Sequence, residues 1–166
     1  MRDDVYKQVR KGIGGSEPIP ADKILDLVES LPANPIIVEV GTWFGGTARE
    51  IALTREDATV YCVDQHISNE WRSNIKEVNV EDRVHGIQGI SWDSAHLVPD
   101  NVDMVFIDAD HEYVSVVKDI IAWKDKVKIG GIISGDDIGM DGVDRAVKEL
   151  MPNAIKFHRI WWLIKS

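Results

Sequence analysis

The chain has 166 residues, 44% hydrophobic and 28% charged, with 19 Lys+Arg against 28 Asp+Glu and a formal net charge of −9. That length suits one domain with a sizeable core, and the acidic balance, with no Lys/Arg block, argues against nucleic acid or an anionic membrane as partner. No apolar run approaches the roughly eighteen residues of a membrane span, no apolar signal core follows Met1-Arg2-Asp3-Asp4, and the single cysteine, Cys62, cannot form an internal disulfide; the sequence reads as a cytoplasmic protein.

Residues 3–11 read as a short polar helix, and Lys11-Gly12-Ile13-Gly14-Gly15-Ser16-Glu17-Pro18 as a glycine-rich break, either a linker or a flap over an active site. From Ala21 to Leu31, residues Ile24, Leu25, Leu27, Val28 and Leu31 share one helical face, which Pro32 and Pro35 bring to an end. Residues 1–34 are thus expected to be an N-terminal helical segment carrying a lid, and residues 35–166 the ligand-binding domain. Ile36-Ile37-Val38-Glu39-Val40 is a continuous β-branched run, the pattern of a strand buried on both faces. It breaks at Gly41-Thr42-Trp43-Phe44-Gly45-Gly46, and helical spacing resumes over 46–54. Further strands follow at 58–64, 83–88, 102–108 and 127–134, with helices at about 113–124 and 142–151 between and after the last two. The closing runs, Ala154 to Phe157 and Ile160 to Ile164, are separated by so few residues that they must pair as an antiparallel hairpin. The expected fold is α/β: a doubly wound, mostly parallel seven-stranded sheet with an antiparallel last strand.

The loop after the first strand selects the cofactor. Dinucleotide enzymes require G-x-G-x-x-G, whereas this chain has Glu39, Gly41 and Gly45 in an E-x-G-x-x-x-G pattern. That pattern resembles motif I of the class I S-adenosylmethionine (SAM) methyltransferases. A helix amino terminus directly behind the glycines offers unpaired N–H groups to a carboxylate. Asp64 closes the second strand, 23 residues after Gly41, where one carboxylate can accept both hydroxyls of an adenosine ribose; the alternative is a cap for the helix starting near Ser68 or Asn69. Ser91 and Trp92 lie on the loop after the third strand, which in SAM enzymes borders the adenine; Trp92 is either an apolar wall there or a core residue. The resemblance implies Glu39, Gly41, Thr42, Trp43, Gly45, Asp64, Gln65, Ser91, Trp92 and Asp108 as cofactor-binding residues.

Three parallel strands end in acids, Asp64, Asp108 and the pair Asp136-Asp137. In a doubly wound sheet such ends share one edge, so Asp108 and Asp136 can meet. Carboxylates gathered there repel one another, and a divalent cation with oxygen ligands, Mg²⁺ first among them, relieves the repulsion; the alternative is helix capping with solvated side chains. Val105-Phe106-Ile107-Asp108-Ala109-Asp110-His111, with Ser134-Gly135-Asp136-Asp137 after the next strand, resembles the metal-dependent small-molecule O-methyltransferases, and within them the macrocin and cephalosporin-hydroxylase-like branch more than the catechol branch. The resemblance covers residues 34–166. It implies Asp108, Asp136 and Asp137 as metal ligands and His111 as the base that takes a hydroxyl proton. The catechol enzymes have lysine at the position of His111 and asparagine at that of Asp137. His111 otherwise starts the following helix, hydrogen-bonded to Asp110 or Glu112.

The function these readings imply is SAM- and metal-dependent methylation of a hydroxyl on a small molecule, a sugar or secondary metabolite. The alternatives are a SAM-binding protein without methyl transfer, a metal-independent small-molecule methyltransferase, and a nucleotide-dependent oxidoreductase, which the loop spacing disfavours. Few residues precede the first strand or separate the last two. The acceptor site is therefore either open, completed by a second subunit in a homodimer, or closed by residues 12–18.

Overall fold

The computed structural model describes residues 21–166, with side chains from Lys23 onward; the expected polar helix at 3–11 and the lid at 12–18 lie outside the described residues. In chain order the elements are α1 (Ala21–Glu29), β1 (Ile36–Val40), α2 (Gly46–Thr54), β2 (Thr59–Asp64), α3 (Asn69–Glu77), β3 (Val84–Gln88), a 3₁₀ turn (Ala95–Leu97), β4 (Val102–Ile107), α4 (Tyr113–Lys124), β5 (Val127–Gly135), α5 (Asp141–Leu150), β6 (Ile155–Phe157) and β7 (Ile160–Ile164). All seven strands form one sheet in the order β3-β2-β1-β4-β5-β7-β6. β1 to β5 run parallel and β7 is antiparallel to both β5 and β6.

The β-branched runs form the centre because side chains alternate between two apolar layers. Ile37, Cys62, Met104 and Phe106 face one layer, closed by Ile24 and Val28 of α1, Ile51 of α2 and Trp71 and Ile75 of α3. Val38, Val40, Val105, Ile107 and Ile133 face the other, closed by Val116, Ile120 and Trp123 of α4 and Val143 and Val147 of α5. β4 is buried along its whole length. α1 is built into this core. Arg55 fastens its end by donating to the carbonyl oxygens of Val28 at 3.0 Å, Leu31 at 3.0 Å and Pro32 at 2.7 Å.

β5 carries a bulge at its twin glycines, Gly130 and Gly131: Val102 pairs with Val127, yet Met104 already pairs with Ile132. Lys165 holds the bulge, its carbonyl accepting from the Gly130 N–H at 2.7 Å and its N–H donating to the Gly131 carbonyl at 2.8 Å. The strand partner needed for this comes from the last residues of the chain, far away in sequence. The strand order reverses between β1 and β4, and crevices at such reversals are where doubly wound sheets take ligands.

Candidate active site

At the reversal, the chain leaves β1 through Gly41, whose N–H donates to the Val63 carbonyl at 2.8 Å, while the Asp108 N–H donates to the Val40 carbonyl at 2.8 Å. Gly41 has φ +87°, and a Cβ there would overlap the backbone carbonyl of Asp108. The glycine is required by the close approach of two strand ends as much as by any ligand. Trp43 also has positive φ, 45°, and its ring is 62% exposed. That turn aims the Trp43 N–H at Asp64 Oδ2, 2.9 Å away, while Asp64 Oδ1 accepts from the His66 N–H at 3.1 Å. The cap of α3 is Ser68, whose hydroxyl accepts from Trp71 N–H at 3.0 Å. Asp64 is therefore not the cap; it is fixed by two backbone donors, and each oxygen keeps a lone pair for a further donor. Behind it α2 starts at Gly45 with no side-chain cap, which leaves its first N–H groups for an outside acceptor. Gln65, next to Asp64, is exposed.

Three other expected cofactor residues have their side chains committed inside the protein. The Thr42 hydroxyl accepts from Trp71 Nε1 at 3.0 Å and bonds to Glu39; both Thr42 and Glu39 are buried. Burial, with Asp108 and Asp64 adding repulsion, pushes the Glu39 carboxyl up to about 8, and its Oε2 has no hydrogen-bond partner. Ser91 donates to Asp119 Oδ1 on α4 and accepts from Trp123 Nε1 at 3.2 Å. Asp119 is 1% exposed, and burial raises its carboxyl to about 6. Trp92 is half-buried, with the Lys118 ammonium 4.4 Å above its ring. Ser91 is thus a hydrogen bonder, as expected, but its partners are protein groups that tie the loop to α4.

The second half of the site joins the ends of β4 and β5. Asp108, Asp110, His111, Asp136 and Asp137 line a cleft floored by Ile107, Val116, Val143 and Trp161. His111 comes close to α5 because Gly142 has no Cβ: one there would overlap the His111 carbonyl. Asp110 accepts from the Ser115 hydroxyl at 2.6 Å and from the Glu112 N–H at 3.3 Å, which ties the loop to the start of α4. His111 takes neither Asp110 nor Glu112 as its ring partner; its Nε2 lies 2.6 Å from Asp137 Oδ2. Ligand atoms of Asp108, His111 and Asp137 lie within 4.8 Å of one another. Burial first, then the charges of Asp136 and Asp137, raise the Asp108 carboxyl to about 7, and burial raises that of Asp136. Crowded carboxylates that resist ionising together, beside an imidazole nitrogen, fit a divalent cation.

Sequence reasoning missed Arg159. Its Nε and Nη2 each donate to Asp136 at 3.1 Å, and Nη2 donates to Asp137 Oδ1 at 2.5 Å. The signal was the register of β7 on β5. Gly135 pairs antiparallel with Trp161, so two steps further on residue 137 stands opposite residue 159, and the Ile138 N–H does donate to the Arg159 carbonyl at 2.8 Å.

A reversed seven-stranded sheet with a glycine loop and an acid at the switch point is the architecture of the Rossmann-like methyltransferases. A protein-family model described as a methyltransferase domain matches residues 38–138, more than half the chain, and the chain belongs to that family. It is 29% identical over 110 residues to an uncharacterized protein of Acanthamoeba polyphaga mimivirus, covering 60% of this chain and about half (50%) of that relative's length. Its fold is similar to a Staphylococcus aureus structure assigned as a caffeoyl-CoA O-methyltransferase, with a TM-score of 0.76, 20% identity and 98% of this chain and 90% of the other covered. It is also similar to an O-methyltransferase from Bacillus cereus in complex with SAH, with a TM-score of 0.75, 19% identity and 98% and 88% covered. At these identities the structural likeness establishes the fold. Among the described residues no helix is long and apolar enough to cross a membrane.

Proposed function

We propose that the chain is a SAM-dependent O-methyltransferase acting on a hydroxyl of a small molecule, a sugar or secondary metabolite, with the help of a divalent cation, Mg²⁺ in the first instance. The observation that carries this reading is the position of Asp108. Its backbone packs against Gly41 of the cofactor loop, and its carboxylate faces Asp137 and His111. A methyl donor on one side of that junction and an activated hydroxyl on the other are neighbours, and holding them in line supplies much of the acceleration.

The residues present fit SAM: the uncapped start of α2 suits its carboxylate, and the spare lone pairs of Asp64 suit its ribose hydroxyls. When bound, SAM supplies an electrophilic methyl group. A divalent cation would be held by Asp108, Asp136 and Asp137, and would lower the pKa of an acceptor hydroxyl. His111 does the proton chemistry. Its Nε2–H donates to Asp137 at 2.6 Å, which leaves the Nδ1 lone pair to accept the hydroxyl proton. Asp137 fixes the tautomer and the ring orientation.

Methyl transfer without a cation has one observation in its favour: every oxygen of Asp136 and Asp137 already has a protein partner. Incubation of the protein with methyl-labelled SAM and a panel of hydroxylated small molecules, with Mg²⁺ or with EDTA, separates the readings. The expected result is label in an acceptor hydroxyl with Mg²⁺ and none with EDTA. Equal transfer in EDTA supports the cation-free reading, and SAM binding without transfer to any acceptor makes the chain a SAM-binding protein.

A further inference from the structure

Every oxygen of the acid pair at the end of β5 already has a partner within the protein. Asp136 Oδ1 accepts from the Asp137 N–H at 2.6 Å and from Arg159 Nε at 3.1 Å, and Asp136 Oδ2 accepts from Arg159 Nη2 at 3.1 Å. Asp137 Oδ1 accepts from the same Nη2 at 2.5 Å, and Asp137 Oδ2 faces His111 Nε2. Two-nitrogen contact with one carboxylate plus a bridge to the next is the strongest geometry a guanidinium can adopt. Arg159 sits in the two-residue turn between β6 and β7, after His158 at φ +52°, and its side chain is 46% exposed. The core begins one residue later, at Ile160 and Trp161, which are 0% and 1% exposed, so the guanidinium lies at the border of core and solvent.

We propose that Arg159 is a positioning residue that holds Asp136 and Asp137 in place in the cation-free protein and competes directly with a divalent cation for them. The guanidinium N–H groups take up lone pairs on Asp136 Oδ1, Asp136 Oδ2 and Asp137 Oδ1, and its positive charge at contact distance opposes a second one on the same carboxylates. Arg159 therefore works against cation binding, and the affinity measured for the cation is reduced by the strength of the Arg159 contacts. Removing Arg159 leaves Asp108, Asp136 and Asp137 facing one another with less counter-charge, which favours a cation more strongly. The inference rests on the divalent-cation part of the proposed function.

The test is Mn²⁺ binding to the full chain, followed by loss of the free Mn²⁺ resonance signal, in the natural protein, Arg159→Met and Arg159→Lys. The expected result is at least tenfold tighter binding in Arg159→Met and an intermediate gain in Arg159→Lys, because an ammonium lacks the two-nitrogen contact. The thermal midpoint of Arg159→Met without metal should fall below that of the natural protein, and added Mn²⁺ should raise it by more. A purely structural arginine would lower stability without tightening Mn²⁺ binding. Equal or weaker Mn²⁺ binding in both variants overturns the proposal while leaving the cation site standing. Absence of Mn²⁺ binding in all three proteins overturns both, and label transfer in EDTA then shows whether methyl transfer survives without a cation. Should Arg159→Met fail to fold, Arg159→Lys decides: binding no tighter than the natural protein's overturns the proposal.

Discussion

Glu39 is a buried acid that the fold keeps protonated, and Glu39→Gln tests that directly. The residue is 2% exposed and its carboxyl rises from 4.5 to about 8, chiefly through burial. A carboxyl whose pKa is higher in the folded than in the unfolded state stabilises the fold fully below the unfolded value, and that contribution disappears as pH rises through the folded value. Here the window runs from about pH 4.5 to about pH 8. At about 1.4 kcal/mol for each pH unit, the full rise corresponds to an upper limit of about 5 kcal/mol. Water entry and relaxation around a newly charged group reduce this to about 2 kcal/mol in practice. Urea unfolding of the ligand-free protein, followed by tryptophan fluorescence from pH 5 to pH 9, measures it. The natural protein should lose about 2 kcal/mol more than Glu39→Gln across that range. Asp119, raised to about 6, shifts stability in the same direction in both proteins, and the difference between them reports Glu39 together with its repulsion from Asp108, itself raised to about 7. Parallel profiles would mean that the cluster of Glu39, Thr42 and Trp71 admits a charged carboxylate at no cost, and the reasoning would fail.

Gly41→Ala should destabilise the fold by about 3 kcal/mol or more, because it adds a Cβ against the Asp108 carbonyl to a backbone at positive φ; a thermal midpoint close to the natural protein's would show that the two strand ends can part. Ser91→Ala should cost about 1–3 kcal/mol of stability, because it removes the Asp119 donor and leaves that buried carboxyl without its hydrogen bond. SAM affinity should change little in Ser91→Ala, and calorimetry showing the reverse, lost affinity with intact stability, would return Ser91 to the cofactor site. His111→Gln should keep SAM binding but lower kcat by about 10²–10⁴-fold at pH 7, the loss shrinking at higher pH as hydroxide replaces the base. Near-normal kcat in that variant, with an identified acceptor, would leave His111 a structural partner of Asp137.

The parts of the molecule legible in the sequence were those written in local pattern. β-branched runs bounded by glycine marked the parallel strands, and the spacing of Gly41 and Gly45 marked the turn from β1 into α2, because burial on two faces and positive φ both leave local residue preferences. That Asp108 comes near the acids ending β5 followed from topology, since parallel strands deliver their ends to one edge; the expected partner was Asp136, whereas the ligand atoms that converge with that of Asp108 are those of His111 and Asp137. What the pattern could not give was where a polar side chain finds its partner. Thr42 turns inward because Trp71, 29 residues later, offers an indole N–H, and Ser91 turns inward because Asp119 and Trp123 approach it from α4. Neither partner has a fixed sequence offset, so each hydroxyl read equally well as facing a cofactor. Arg159 escaped for a related reason. A lone arginine in a two-residue turn is unremarkable until the pairing of Gly135 with Trp161 sets it opposite Asp137. Asp136 accordingly belongs to an arginine–carboxylate pair, and His111 rather than Asp136 stands with Asp108 and Asp137 where their ligand atoms converge.

The proposed function requires SAM to occupy the edge between Gly41 and Asp64, and a calorimetric titration of SAM into the natural protein and Asp64→Ala tests that edge without any acceptor or metal. Asp64 is already oriented by the N–H groups of Trp43 and His66, so its hydrogen bonds to ribose hydroxyls would form with little reordering. The proposed function predicts saturable SAM binding to the natural protein and a loss on the order of 2–4 kcal/mol in Asp64→Ala, as for hydrogen bonds to a charged group. Unchanged affinity in Asp64→Ala would contradict the ribose assignment, and no SAM binding to the natural protein would contradict the proposed function itself.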